Sequence, residues 1–277
     1  MIKRIGGNMV SNTKIIFFDI DGTLRDFEEK GIPEYTRKAL DKAREAGLRL
    51  FIATGRHWLE IEEEGLLGDL EFDAYVTLNG QLCYVREGRE LPGRAIYKNP
   101  IDPGQVRRLL GMIEEEPFPC LFMEEGRMYI NYTDPRVELV QQGIGTALPP
   151  VGDIGRALEN PVYQIVPYVD EERAGRIIAG LPGCGHAMWH AGNAVDLLPF
   201  GGGKCGGIEK MLEHFGMKAE EAAAVGDGKN DVSMLEYAGV GIAMGNGCEE
   251  AKGAADFVVA GIEEEGLLEA VEEILRR

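Results

Sequence analysis

Positive charge is scarce in this chain. Its 277 residues include 29 Lys and Arg against 47 Asp and Glu, which gives a net charge of -18. This balance argues against non-specific binding to nucleic acid or to anionic membranes, because both need a basic surface. We therefore expect no nucleic-acid partner. An anionic substrate would need positive charge that is concentrated locally in its binding site.

Long apolar runs and paired cysteines are missing as well. No apolar run approaches the roughly 18 residues that a membrane span requires, so we expect no membrane partner. The first 14 residues are mostly polar and lack the apolar core of a secretion signal. The five cysteines are scattered and form no CxxC pair, which is typical of reduced thiols rather than of a zinc site or a disulfide framework. These features predict a cytoplasmic protein.

Two carboxylates close together are the most informative feature that is present. The segment DIDGT at residues 19–23 follows an apolar run at residues 15–18. Asp19 and Asp21 share one side of an extended chain, because side chains alternate across a strand, and Gly22 allows a sharp turn. Two acids could simply cap a turn, but buried unpaired carboxylates are costly. The pattern is better explained if a cation binds there and one carboxylate does chemistry.

The runs around this motif predict the fold. Three short apolar runs end in small and polar residues; they lie at residues 15–18, 48–53 and 222–225 and are followed by Asp19, Thr54 and Gly226. Such runs suit central strands of a parallel sheet, where ligands bind outside the carboxyl ends. Further strands are predicted at residues 240–244 and 257–259, and helices at residues 33–46, 204–215, 230–238 and 266–277. The alternation predicts an α/β fold with a doubly wound, mostly parallel, Rossmann-like sheet.

The middle of the chain has a different pattern. Strands are predicted at residues 82–85, 120–123, 128–131, 162–168, 185–190 and 194–198, and helices at residues 103–114, 135–142 and 171–179. This mixed order indicates an α+β domain inserted between two halves of the core. We expect residues 1–82 and 198–277 to form a discontinuous catalytic core, and residues 83–197 to form an inserted cap over its carboxyl edge.

Four motifs resemble those of one enzyme superfamily. FDIDGTL at residues 18–24 resembles the first motif of the haloacid dehalogenase superfamily of phosphotransferases, and ATGR at residues 53–56 looks like the second motif of its Cof-like phosphatases. Lys204 stands where the third motif has its lysine, and VGDGKND at residues 225–231 matches the fourth. The order and spacing agree across the chain, and the insertion lies where that subgroup carries its large type IIB cap. The cap itself matches only in size and element order.

The resemblance implies a role for each matched residue. Asp19 would be the nucleophile that forms an aspartyl-phosphate, and Asp21 the general acid and base. Mg²⁺ would be the cofactor, since it is a hard ion that favours carboxylates and phosphate oxygens. Its site would comprise Asp19, Asp227, the backbone carbonyl of Asp21, and Asp231 acting through water or by orienting the ligands. Phosphate oxygens would be held by Thr54, Gly55, Lys204 and Asn230.

These roles predict a Mg²⁺-dependent phosphatase of small phosphorylated metabolites, with sugar phosphates as the first candidates. A phosphomutase or phosphotransferase on the same core is the alternative among enzymes. A non-catalytic metabolite-binding protein is less favoured, because both acids are present. Neither the physiological substrate, the cap residues that set specificity nor the oligomeric state follows from the sequence.

Several other residues have ordinary structural explanations. We interpret Asn79-Gly80 as a hairpin turn. We expect Arg56 either to brace its loop or to contact substrate, which leaves two possibilities open. In the inserted segment, we interpret His186, Trp189 and His190 as packing residues rather than as residues that face the cleft.

Overall fold

Two β-sheets make up the framework of the protein. The computed structural model describes residues 12–26, 31–88, 91–189 and 192–277, so His190 lies outside the described residues. Within these ranges, one sheet has eight strands in the order β13-β12-β11-β1-β2-β3-β4-β5, and the other has five in the order β7-β6-β8-β10-β9. The strands are β1 (Ile15–Phe18), β2 (Arg49–Ala53), β3 (Ala74–Thr77), β4 (Leu82–Val85), β5 (Arg94–Lys98), β6 (Cys120–Met123), β7 (Met128–Ile130), β8 (Gln164–Pro167), β9 (Cys184–Met188), β10 (Val195–Pro199), β11 (Ala222–Gly226), β12 (Val240–Ala243) and β13 (Phe257–Val258).

Helices cover both faces of the larger sheet. The helices are α1 (Glu34–Glu45), α2 (Trp58–Glu63), α3 (Pro103–Glu115), α4 (Pro135–Ile144), α5 (Glu171–Gly180), α6 (Lys204–Phe215), α7 (Val232–Tyr237), α8 (Glu249–Ala254) and α9 (Gly266–Leu275). Alternate residues of β1 enter two cores: Ile16 and Phe18 pack with α1 and α9, whereas Ile15 and Phe17 pack with α6, α7 and α8. Both faces of β1 are therefore buried, which explains its unbroken apolar sequence.

The larger sheet is mostly parallel. Strand β1 pairs in parallel with β11 on one side and with β2 on the other, so Ile15 lies opposite both Ala222 and Arg49. Strands β2 and β3 continue the parallel order, and β4 and β5 extend the edge as antiparallel strands. This arrangement confirms the predicted α/β fold with a mostly parallel sheet.

The smaller sheet is antiparallel and also has two buried faces. In β6, Cys120 and Phe122 pack with α3 and α5, while Leu121 and Met123 lie in a separate apolar cluster that includes Leu78 of the larger sheet's loops. Because side chains alternate across a strand, β6 carries one face to its own helices and the other toward the larger sheet. The smaller sheet therefore lies over the larger one.

The strand pairing shows which sheet each part of the predicted insertion at residues 83–197 joins. Strands β4 and β5 lie at its start in sequence, but they hydrogen-bond into the larger sheet. The remaining strands of that segment belong to the smaller sheet. The division of the chain into a core and a cap at these limits stays a prediction. In the described ranges, none of the helices has the length and apolar character that crossing a bilayer requires.

Hydrogen bonds tie α2 to the smaller sheet. His57 is the N-cap of α2, and its Nδ1 accepts from the Leu59 amide at 3.0 Å. Its other ring nitrogen, Nε2, therefore carries the proton and donates to the Glu124 carbonyl at 2.7 Å. Trp58 Nε1 donates to the Glu125 carbonyl at 2.7 Å. The helix after the second motif is thus bonded to the turn between β6 and β7.

Two glycines bring helix α6 against the loop at residues 78–80. A Cβ at Gly207 would lie 2.6 Å from Gly80 Cα and 2.7 Å from a methyl group of Val76. Gly80 itself has a φ of +92° and faces the Gly203 carbonyl. Glycine inside a helix normally costs about 1 kcal/mol relative to alanine, so its presence here reflects a close backbone approach. This approach positions Lys204 at the start of α6.

A matched pair of glycine substitutions tests this packing. Gly207→Ala should lower the free energy of unfolding by about 1–3 kcal/mol, because the new methyl group meets backbone atoms of the neighbouring loop. Gly111→Ala in α3 is the control, since nothing lies within 4 Å of the position that its methyl group would take. It should raise stability by up to about 1 kcal/mol. Urea unfolding of both variants measures the difference, and equal effects would contradict the proposed packing.

The buried ring of His57 predicts a pH dependence of stability. Burial lowers the pKa of His57 to about 4, against a partly opposing hydrogen bond to Glu124. The unfolded pKa is ~6.5, so the unfolded state binds more protons between these values, and stability is lost as the pH falls from about 6.5 toward 4. The loss that is due to His57 should reach roughly 3 kcal/mol.

The variant His57→Asn should remove this contribution, because asparagine also caps helices but does not titrate. Urea unfolding at pH 7, 6, 5 and 4 should give a shallower fall in stability for His57→Asn than for the wild type. His214→Asn makes the same change at an exposed histidine and serves as the matched control. Parallel curves for His57→Asn and the wild type would contradict the assignment.

Candidate active site

The carboxyl ends of three neighbouring strands meet at one edge of the larger sheet. Asp19 follows β1, Thr54 follows β2, and Asp227 follows β11. The Asp19 amide still donates to the Val225 carbonyl at 3.0 Å, and the Thr54 amide to the Val76 carbonyl at 2.9 Å. The sheet pairing therefore continues one residue beyond β1 and β2, and it fixes the backbone of both side chains. The sequence predicted this convergence from the way the three apolar runs end.

Three carboxylates and one ammonium form the centre of the site. Asp19, Asp227 and Asp231 each offer an oxygen within 4.8 Å of the others. Lys204 Nζ lies 2.5 Å from Asp19 Oδ1 and 2.5 Å from Asp231 Oδ1. The Lys204 side chain is entirely shielded from solvent. One buried lysine is thus shared by two acids, and Asp227 lies beside them.

Asp231 is fully occupied as a brace. Its Oδ2 accepts from the backbone amides of Asp227 and Gly228 at 2.9 and 2.8 Å, while its Oδ1 binds Lys204. A carboxylate that accepts several N–H bonds is held firmly in one orientation. Asp231 therefore fixes both the loop that carries Asp227 and the position of the Lys204 ammonium.

The electrostatics of this cluster favour a further positive charge. Burial raises the pKa of Asp19 well above its usual range; Lys204 opposes this, while the neighbouring aspartates add to it. Burial and the charge of Asp231 raise the pKa of Asp227 to about 7. Burial disfavours the ammonium of Lys204, but Asp19 and Asp231 outweigh this and raise its pKa. Three acids lie beside one lysine, so the cluster has an excess of acidic groups. Their oxygens therefore suit a hard divalent cation, which prefers oxygen ligands.

The turn at Gly22 lets the first motif contact the fourth. Gly22 has a φ of +87°, and a side chain there would collide with the Asp227 carboxylate. Thr23 Oγ1 donates to Asp227 Oδ1 at 3.1 Å, and Asn246 Nδ2 donates to the Gly22 carbonyl at 2.8 Å. Only glycine satisfies both the backbone conformation and the close approach. The glycine of DIDGT thus has a definite structural cause.

Arg56 braces Asp21 rather than standing free in the cleft. Its Nε donates to Asp21 Oδ2 at 2.7 Å and its Nη2 to Asp21 Oδ1 at 3.1 Å. The same Nη2 donates to the Ile144 carbonyl at the end of α4, at 3.2 Å. Arg56 also pairs with Glu60, whose pKa is raised by burial despite that pairing. Of the two possibilities left open for Arg56, the structure favours a bracing role, because Arg56 holds the Asp21 carboxylate. The carbonyl of Ile144, in the segment of the smaller sheet, takes part in this arrangement.

Asn79 connects the site to the smaller sheet. Its φ of +51° is unusual for a residue other than glycine, and its side chain is buried. Asn79 Nδ2 donates to Gln164 Oε1 at 3.1 Å and to Asp196 Oδ2 at 3.0 Å, and Asn79 Oδ1 accepts from Asn230 Nδ2 at 3.0 Å. The Asn79-Gly80 turn does join antiparallel neighbours β3 and β4, as a hairpin turn should. The side chain of Asn79 also orients Asn230.

A large cleft opens between the two sheets above these residues. It has a volume of about 880 Å³. Six of the residues predicted from the motifs line it: Asp19, Asp21, Thr54, Gly55, Asp227 and Asn230. Lys204 and Asp231 lie beneath its floor, in contact with Asp19 and Asp227 respectively. The structure therefore brings all eight predicted residues to one place.

Sequence reasoning misses several polar residues of the cleft. It places Asp196 and Gln164 only within strands, yet Gln164 Nε2 and Trp189 Nε1 both donate to Asp196 Oδ1, at 3.2 and 2.9 Å. Burial raises the pKa of Asp196 to about 6. Trp189, interpreted as a packing residue, lines the cleft as well as packing. The sequence does contain a signal for Asp196: it is an acid between two apolar residues, Val195 and Leu197, of a buried strand.

Known proteins match both the sequence and the fold. A family model described as haloacid dehalogenase-like hydrolase matches residues 16–271. YkrA of Bacillus subtilis, which is named as a phosphatase, is 35% identical to this chain over 267 residues. The match covers 95% of this chain and 98% of YkrA. Pyridoxal phosphate phosphatase YbhA of Escherichia coli is 28% identical, covering 89% and 93%. The structure of the subclass IIB sugar phosphatase BT4131 has a TM-score of 0.81 at 34% identity, covering 96% of this chain and 100% of that one.

Proposed function

Because the chain belongs to the haloacid dehalogenase-like hydrolase family, and within it to the Cof-like phosphatases, we propose that it hydrolyses small phosphorylated metabolites with Mg²⁺ through an aspartyl-phosphate. Its assignment as a phosphatase follows from the family. The observation that carries the proposal is the cluster of Asp19, Asp227 and Asp231, two of which, Asp19 and Asp231, bind the buried ammonium of Lys204.

We assign Asp19 as the nucleophile. Lys204 binds its Oδ1 and holds the carboxylate at the end of β1, where it lines the cleft. In the first step, the other oxygen bonds to phosphorus while the bond from phosphorus to the leaving oxygen breaks. In the second step, water attacks phosphorus, the bond to Asp19 breaks, and orthophosphate leaves. Covalent catalysis thus divides one difficult displacement into two easier ones.

Asp21 is the proton carrier in this proposal. It protonates the leaving oxygen in the first step and takes a proton from the attacking water in the second. The bidentate contact with Arg56 fixes the plane of the Asp21 carboxyl group. Because Arg56 also binds the Ile144 carbonyl, the position of Asp21 depends on how α4 packs over the cleft. We propose that the smaller sheet and its helices act as a cap that excludes water during the reaction.

The site must overcome repulsion between a carboxylate and a phosphate dianion. At ~4 Å, two unit negative charges repel by ~4 kcal/mol at an effective dielectric of 20. Asp19, Asp227 and the backbone carbonyl of Asp21 would hold Mg²⁺, with Asp231 as their brace. When bound, Mg²⁺ supplies positive charge that screens the phosphate oxygens from Asp19. Thr54, Gly55 and Asn230 would orient the phosphate oxygens, and Asn79 keeps Asn230 in place. Lys204, expected from the sequence to hold phosphate, lies beneath the floor and would add its positive charge from there, while it positions Asp19.

We propose a cytoplasmic location and a small phosphorylated metabolite as substrate. None of the five cysteines forms a disulfide, which favours a reducing, cytoplasmic compartment. Relatives named for pyridoxal phosphate and for sugar phosphates favour a small phosphorylated metabolite in general. A phosphomutase on the same core would instead return an isomerised phosphate ester.

Replacing the nucleophile tests the proposal directly. Asp19→Asn should reduce orthophosphate release at least roughly a thousandfold, because an amide oxygen is a far weaker nucleophile than a carboxylate. Asp170→Asn is the control, since Asp170 is an exposed N-cap of α5 and asparagine also caps helices. Activity is measured as orthophosphate released with Mg²⁺, alongside chromatography of the remaining ester. Comparable rates in Asp19→Asn would refute the nucleophile, and an isomerised ester without orthophosphate would indicate the mutase.

A further inference from the structure

Asp196 is a buried acid of the smaller sheet that faces the phosphate-binding side of the cleft. It lies in β10, is 6% exposed and lines the cleft. Donors reach both of its oxygens: Asn79 Nδ2 bonds to Oδ2, and Gln164 Nε2 and Trp189 Nε1 bond to Oδ1. Burial raises the pKa of Asp196 to about 6, so the carboxyl group is ionised at neutral pH. An ionised carboxylate only accepts hydrogen bonds, and Asp196 is therefore a fixed acceptor.

This fixed acceptor decides which way the amide of Asn79 points. A side-chain amide has a donor end and an acceptor end of similar shape, so its neighbours set its orientation. Asn79 turns its nitrogen to Asp196 Oδ2 and to Gln164 Oε1, at 3.0 and 3.1 Å. Its oxygen is then left to accept from Asn230 Nδ2 at 3.0 Å. The second N–H of the Asn230 amide remains available to a phosphate oxygen, which only accepts.

Gln164 carries the same direction to the loop of the second motif. Its Nε2 donates to Asp196 and also to the Gly55 carbonyl, at 3.2 and 3.4 Å. The other end of that peptide unit is the Arg56 amide, which donates to Thr54 Oγ1 at 3.1 Å. Because Thr54 Oγ1 accepts this bond, its own proton is available to a phosphate oxygen. Both branches thus lead from Asp196 to a donor of the proposed phosphate site.

An asparagine in place of Asp196 would break this pattern, because it adds a donor where only an acceptor fits. In Asp196→Asn, the new amide can keep its oxygen toward Gln164 and Trp189, but its nitrogen then faces the nitrogen of Asn79. Two donors do not bond to each other, so the Asn79 amide turns over, and the Asn230 amide turns with it. The Asn230 oxygen then takes the position of Nδ2 and repels the phosphate oxygens.

We propose, building on the proposed phosphatase activity, that Asp196 is a positioning residue for the phosphate group. It acts through Asn79 and Gln164, which turn the donors of Asn230 and Thr54 toward the phosphate oxygens. The proposed phosphate ligands all belong to loops of the larger sheet, but the acceptor that orients them belongs to the smaller one. The smaller sheet therefore completes the phosphate site.

Steady-state kinetics of Asp196→Asn with Mg²⁺ at neutral pH test this role. The KM should rise at least roughly tenfold while kcat changes less than about threefold, because the affected donors hold the phosphate before the reaction as well as in its transition state. The inhibition constant of orthophosphate should rise by a similar factor, since orthophosphate has no leaving group. For the same reason, p-nitrophenyl phosphate and glucose 6-phosphate should show the same rise in KM.

Glu124→Gln is the matched control for a merely structural effect. Glu124 is also a buried acid of the smaller sheet's segment, but its carboxylate is bonded to Arg156 and Tyr129 instead of to residues of the cleft. Loss of this buried pair should lower the free energy of unfolding. It should leave the KM and the orthophosphate inhibition constant at their wild-type values.

Asn79→Gly interrupts the same network one residue closer to the phosphate, and it covers the case that Asp196→Asn does not fold. Glycine readily adopts the φ of +51° at this position but has no amide to hold Asn230. The KM and the orthophosphate inhibition constant should again rise together, with kcat nearly kept.

The outcomes separate this inference from the function on which it rests. Wild-type constants in folded Asp196→Asn or in Asn79→Gly, or a rise in KM for only one ester, would overturn the positioning role while the phosphatase stands. A fall in kcat alone, shared with Glu124→Gln, would show a structural role only and would also overturn it. Absence of orthophosphate release from both esters by the wild-type protein would overturn the proposed function and the positioning role with it.

Discussion

The structure depends on the sharing of one buried ammonium by two acids. Lys204 is fully shielded from solvent and binds both Asp19 and Asp231, and a third acid, Asp227, lies within reach. Removing one partner of a buried ion pair leaves an uncompensated charge, so these side chains require one another. The glycines around them, at positions 22, 80 and 207, exist because the loops must approach closely enough to make this cluster. The cluster has more acids than cations as a result, and a bound divalent cation would relieve the repulsion between them.

The two sheets contribute different parts of the cleft. The larger sheet fixes the reacting groups through its parallel strands, whose ends are held by backbone hydrogen bonds. In β6 of the smaller sheet, residues alternate between the sheet's own core and the apolar cluster that packs against the larger sheet. Polar links join the two sheets, including those from Arg56 to the Ile144 carbonyl, from His57 to the Glu124 carbonyl, and from Asn79 to Asp196. A shift of the smaller sheet therefore acts on Asp21 and Asn230, which Arg56 and Asn79 hold.

The sequence predicted those features of the fold and site that depend on residues close together in the chain. The parallel strands, the helix of Lys204 and the acids at the strand ends follow from apolar runs and from motifs whose residues are close in the chain. The strands β3 and β5 were missed, because neither is marked by the features that end β1, β2 and β11. The hydrogen bonds of Asn79 with Gln164 and Asp196 span 85 and 117 positions, so no local pattern indicates them. The pairing of β4 and β5 with the larger sheet likewise depends on contacts that periodicity does not encode.

The most direct test of the central cluster is calorimetric titration of Mg²⁺ into the protein without substrate. The wild type should bind one Mg²⁺, and Asp227→Asn should bind it at least tenfold more weakly, because one charged oxygen ligand is lost. Asp153→Asn, which changes an N-cap of a short helical turn in the smaller sheet's segment, should bind it as the wild type does. Equal affinity in Asp227→Asn and the wild type, or no Mg²⁺ binding at all, would contradict the account.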